Sequence, residues 1–121
     1  MKKHALSWIS ILVGAAVLLG VVKTTSADTN TTGTVSDILV NNSMGYTFAL
    51  KGGPDMCTNG NLSNARGAVV VGVAGTTVDG AKAMLVVLQS ALLLGRQVQV
   101  ATSSTVTTTG WGCTVIAVQG L

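Results

Sequence analysis

One stretch of this chain constrains the fold more than any other. Between Gly80 and Leu94 there is no proline, and Ala81, Met84, Leu85, Leu88, Ala91 and Leu92 recur at helical spacing. Thr77 or Asp79 can cap its N-terminus by accepting from backbone N–H groups that lack a helical partner. Gly95 can end it in a left-handed cap, and Arg96 follows. The rest of the chain beyond residue 27 either alternates with a period of two or breaks into turns within a few residues. A chain with one such helical run amid alternating segments is mainly β, with one helix.

The alternating segments are predicted as follows. Thr34–Val40 is rich in β-branched residues and forms a first strand. Asn41–Gly45 forms a turn, and Tyr46–Lys51 is a half-buried second strand that places Tyr46, Phe48 and Leu50 on its inner face. Gly52–Ala65 is an irregular loop holding Pro54 and Cys57. Arg66–Ala74 is a third strand covered on both faces. Gln97–Thr102 is a fourth, with Val98 and Val100 facing in. Ser103–Gly110 is a threonine-rich, partly extended connection. Trp111–Gln119 is a fifth strand, with Cys113, Val115 and Ala117 on one face and Thr114, Ile116 and Val118 on the other. The order is β-β-β-α-β-β.

The N-terminus carries a targeting pattern. Lys2, Lys3 and His4 precede an apolar run from Ala5 to Val22, and Lys23–Ala27 ends in small residues. This is the layout of a secretory signal peptide, with cleavage expected after Ala27. An uncleaved membrane anchor is the competing reading, because about 18 apolar residues is close to the minimum for a bilayer span. The expected division is residues 1–27 as signal, 28–33 as a flexible leader and 34–121 as the folded domain. Export to the periplasm or beyond follows, with membrane contact only through the signal segment if it stays attached.

Removal of residues 1–27 changes the charge balance. Lys2, Lys3, Lys23 and the only histidine leave, and Lys51, Arg66, Lys82 and Arg96 remain against Asp28, Asp37, Asp55 and Asp79. A formally neutral domain has little attraction for phosphates, which argues against nucleic acid as a partner. Cys57 and Cys113 are the only cysteines and are expected to pair in an oxidising compartment. Two cysteines far apart with no histidine make poor zinc spacing, so neither a metal nor another cofactor is expected.

Catalytic chemistry finds little footing. Without histidine or glutamate, acid–base work would fall to Asp37, Asp55, Asp79, a lysine or Tyr46, and no base with an orienting partner is visible. Gly75–Lys82 resembles a phosphate-binding loop, but Ala81 separates Gly80 from Lys82 and Ala83 stands where a hydroxyl residue is required. The expectation is a non-enzyme. Trp111 and Tyr46 are the aromatic candidates for stacking on a ligand. On the helix side away from the apolar stripe, Lys82, Val86, Gln89 and Leu93 are candidates for an oligomer interface.

From Asp79-Gly80-Ala81-Lys82-Ala83-Met84-Leu85 through Gly95-Arg96-Gln97-Val98-Gln99-Val100, the chain resembles the helix-then-strand segment of the binding (B) subunits of bacterial multi-subunit toxins and of related small periplasmic proteins. The Cys57 loop tied to Cys113 is similar as well. The likeness spans residues 34–121, mostly as an order of elements. It implies a small OB-like five-stranded barrel, ring-shaped homo-oligomers that are often pentamers, and glycan binding. No ligand motif of that family is matched, so no sugar-binding residue is carried over. The alternative function is a non-catalytic structural or accessory protein of the cell envelope.

Overall fold

The structure is a computed structural model, and it describes residues 28–41, 45–60, 63–107 and 111–121. The expected signal segment, 1–27, lies outside the described residues, as do the middle of the expected first turn and the end of the threonine-rich connection. Five strands and one helix are present among the described residues: β1 (Thr29–Asn41), β2 (Gly45–Leu50), β3 (Arg66–Val70), α1 (Val78–Leu94), β4 (Gln97–Thr107) and β5 (Cys113–Gly120). The β-β-β-α-β-β order stands.

The strands form one ring in the order β1-β2-β3-β5-β4, with β4 returning to β1. All neighbours are antiparallel except β3 and β5, where Gly67 pairs with Cys113 and Ala68 with Thr114. This is the layout of a small OB-like barrel.

Closure depends on β1, which borders two strands in succession. Thr29–Thr34 pair with Thr102–Gln97 of β4, and Val35–Asn41 pair with β2. Between Val35 and Asp37 the register slips by one residue at Ser36, whose hydroxyl donates to the Ala49 carbonyl at 3.1 Å. Such a bulge bends a strand and re-aims its side chains. Val35 is buried, and Ile38, three residues on, also packs against the core. The expected flexible leader is therefore corrected: residues 29–33 are the first half of β1, held by backbone pairing with β4.

A second bulge corrects the faces of β5. Ala101 pairs with Ala117 but Thr102 pairs with Val115, so Ile116 is the extra residue. Val115 points inward, Ile116 and Ala117 are exposed, and Val118 rejoins the core. Ala117 and Val118 thus exchange the faces that strict alternation would give them. Strand β3 also ends earlier than expected, at Val70. Val73 N–H bonds back to the Val70 carbonyl and Thr76 N–H to that of Val73, and Ala74 has φ 54°. A chain turning in this way cannot continue a ladder.

The helix matches its sequence signals closely. Thr77 is the cap, its Oγ1 accepting from Gly80 N–H at 3.0 Å. Gly95 closes the helix at φ 67°, a conformation that costs glycine little. Ala81, Leu88 and Ala91 are buried, and Met84, Leu85 and Val87 pack beside them. Leu92, expected on this inner face, is 38 % exposed, and its neighbours Leu93 and Leu94 are more so. Ala91, in the same last turn, stays buried, so the helix packs there on a narrow stripe and leaves the three leucines outside it.

The opposite end of the barrel is closed by the loop between β2 and β3. Met56 is fully buried there. Its N–H donates to the Asn64 carbonyl at 2.6 Å, and its carbonyl accepts from Thr102 Oγ1 at 2.6 Å. The Cys57–Cys113 disulfide is formed and ties this loop to β5.

Candidate functional site

The three described aspartates considered for catalysis lie on different elements: Asp37 on β1, Asp55 in the β2–β3 loop and Asp79 in the first turn of α1. Asp37 accepts from Arg66 Nη2 at 2.6 Å, and Arg66 Nε donates to Thr47 Oγ1 at 3.1 Å. The hydrogen bond from Arg66 holds the Asp37 carboxyl below its ordinary range, against a smaller opposing effect of burial. The group joins β1 to β3 across β2 and has a structural task.

Tyr46 and Trp111 do not form one ligand surface. The Tyr46 side chain is 4 % exposed and its hydroxyl donates to the Ala81 carbonyl of α1 at 2.6 Å. Burial pushes its pKa up to about 12. Its task is to fasten the helix to the barrel, which corrects the expectation of a stacking residue. Trp111 is half-buried and rests on the start of β2: a Cβ on Gly45 would lie 3.0 Å from Trp111 Cζ3 and 2.7 Å from the Val69 carbonyl oxygen. Glycine at 45 permits that approach. Of the two aromatics, Trp111 alone keeps a face toward solvent.

The four helix residues singled out by sequence do share a surface. Lys82, Val86, Gln89 and Leu93 are all exposed on the outer side of α1, with Val86 at 60 % and Leu93 at 84 %. From Ala83 to Gly95 the helix carries no charged residue.

Two clefts flank this helix. One, of about 420 Å³, runs beside its C-terminal half, between Val86, Leu94 and Arg96 and the end of β5. The other, of about 280 Å³, opens at its N-terminal half, where α1 leaves the mouth of the barrel. The second is lined almost wholly by apolar side chains, with Lys82 at its edge. The sequence reading missed it, because its walls come from segments far apart in the chain.

These observations define a class: a small, disulfide-closed, OB-like barrel with one helix among the described residues, which leaves Val86 and Leu93 exposed on its outer side. No protein-family model, curated protein or solved structure matches the chain.

Proposed function

We propose that the chain is an exported, non-enzymatic binding module that assembles with copies of itself, in the manner of the toxin B subunits it resembles, with glycans as the ligand class. The observation that carries this reading is the outer face of α1. Val86 and Leu93 are 60 % and 84 % exposed on a helix side whose one charged residue is Lys82, and a partner that covered them would gain from their burial. Packing against the same helix of neighbouring copies would cover them. The Cys57–Cys113 disulfide agrees with an oxidising compartment.

The test is the solution mass of the oxidised protein, by light scattering behind a sizing column. A mass near that of five protomers is expected. Changing Val86→Lys and Leu93→Lys together should reduce it to one protomer and lower the melting temperature to a value that no longer depends on protein concentration. An assembly that survives both substitutions is not built on this face.

A second reading is a structural or accessory protein of the envelope with no glycan ligand. The burial of Tyr46 and the half-covered ring of Trp111 favour it, because they leave little aromatic surface for a sugar. Reproducible glycan-array binding that disappears in Trp111→Ala removes this reading.

A further inference from the structure

The cleft at the N-terminal half of α1 has a chemistry unlike that of a sugar site. Its walls are Val40 of β1, Tyr46 of β2, Val71 just beyond β3, and Val78, Ala81 and Leu85 of the helix. The hydroxyl proton of Tyr46 is already committed to the Ala81 carbonyl. Asn41, the other polar residue of the wall, already has a partner. A sugar entering here would give up water at its hydroxyls and gain little in exchange, whereas an apolar body would gain from leaving water.

The rim adds a charge. Lys82 borders the cleft and is exposed. Among the described residues the one ion pair is Arg66–Asp37, so no carboxylate neutralises Lys82, including that of Asp79 one turn earlier. An apolar slot with a single unneutralised ammonium at its edge suits a molecule with an apolar body and an anionic head. At about 280 Å³ the space lies just under the usual range of small-molecule sites, which begins at about 300 Å³. That size admits a short acyl chain rather than a long lipid.

From this juxtaposition we infer that the cleft is a binding site for short-chain aliphatic carboxylates. The chain lies between α1 and the barrel mouth, and the carboxylate meets Lys82 Nζ. The inference does not depend on oligomerisation or on glycan binding.

The experiment uses oxidised protein purified after expression of the full chain, titrated with hexanoate, octanoate and decanoate. The methyl resonances of Val40, Val71, Val78 and Leu85 are followed by NMR. Saturable shifts at these methyls are expected, with affinity rising about fourfold for each added methylene, the equivalent of about 0.8 kcal/mol per buried CH₂. Lys82→Gln should weaken octanoate about threefold, in the range of a partly exposed charge pair, and leave octanol binding unchanged. Val78→Glu should weaken octanoate at least about tenfold. It sits at the first helical position, where an acidic residue suits the helix dipole, so the fold should persist. The inference is overturned if no saturation appears below about 10 mM, a concentration at which an affinity is negligible on the usual scale. It is equally overturned if the shifts fall at Leu94 instead, or if octanoate and octanol bind alike with Lys82→Gln moving neither.

Discussion

The two ends of the barrel are secured in opposite ways. At the end closed by the β2–β3 loop, fastening is covalent and dense: the disulfide, the Met56 side chain, and the bonds joining Met56 to Asn64 and Thr102 all meet there. Among the described residues, both polar atoms of the Asn59 side chain and the Thr114 hydroxyl are buried with no protein partner. On the helix side nothing is covalent. One hydroxyl, that of Tyr46, and one inner stripe hold α1 in place, and its outer side leaves Val86 and Leu93 exposed beside Lys82 and Gln89. The contrast separates a covalently fastened end from a helix held by packing and one hydroxyl.

The strongest way to break the contrast is to remove the covalent tie. The disulfide spans a sequence separation of 56. Closing a loop of that size stabilises by about 4 kcal/mol in the chain-entropy account. Changing Cys57→Ala and Cys113→Ala together should therefore lower the free energy of urea unfolding by about that amount. A loss under about 1 kcal/mol would mean that Met56 and its hydrogen bonds close this end unaided.

The next test compares two leucines of one helix. Leu88 is fully buried and Leu93 almost fully exposed. Leu88→Ala should cost about 3 kcal/mol through lost transfer energy and a cavity. Leu93→Ala should change the stability of the monomer by under about 0.5 kcal/mol. A larger, concentration-dependent loss at Leu93 would show that the outer face is covered in an assembly.

The helix was the part most legible in sequence, because a helix is a local object. Thr77, Gly95 and the 3.6-residue stripe lie within twenty residues of one another, and its contacts are mostly decided by period. The barrel was legible as a list of strands but not as a surface. A bulge such as Ser36 or Ile116 adds one residue, leaves composition unchanged and reverses every face beyond it. The pairing of Thr29–Gly33 was hidden for a different reason: its partners, Val98–Thr102, lie some seventy residues away, and a threonine-rich polar run reads equally as leader or strand. Tyr46 was correctly placed on an inner face by alternation, and that same placement leaves little of its ring for a sugar to stack on. The four outer helix positions were readable because they are defined by what they do not touch.

A smaller effect sharpens the account of how α1 is attached. Tyr46→Phe deletes the hydroxyl bond to Ala81 and should cost about 1 kcal/mol at neutral pH. The folded pKa of Tyr46 is raised from 10.0 to about 12, so the unfolded chain loses this proton first as pH rises. The stabilisation is complete below pH 10 and is lost between pH 10 and 12. The gap between the native protein and Tyr46→Phe should therefore narrow in unfolding measurements made through that window. A gap that stays constant would mean that the hydroxyl does not govern the alkaline response.

The smallest expected effect concerns the one ion pair among the described residues. Asp37 is 53 % exposed, and its pKa is lowered chiefly by the hydrogen bond from Arg66. A carboxyl with a lowered folded pKa stabilises above its unfolded value of 3.8 and loses that contribution as pH falls through the folded pKa. At neutral pH, Asp37→Asn should cost only about 0.5 kcal/mol, because solvent and salt screen an exposed pair. Arg66 would still be held by Thr47. The difference between the two proteins should shrink in 1 M salt, where the screening length falls to about 3 Å, and shrink again below pH 3.8. A cost of several kcal/mol, insensitive to salt, would instead place a desolvated ion pair among the elements that hold the barrel closed. The strand side would then be secured at two places, the disulfide and the β1–β3 bridge, and the contrast between the two ends would become one between the whole barrel and its helix.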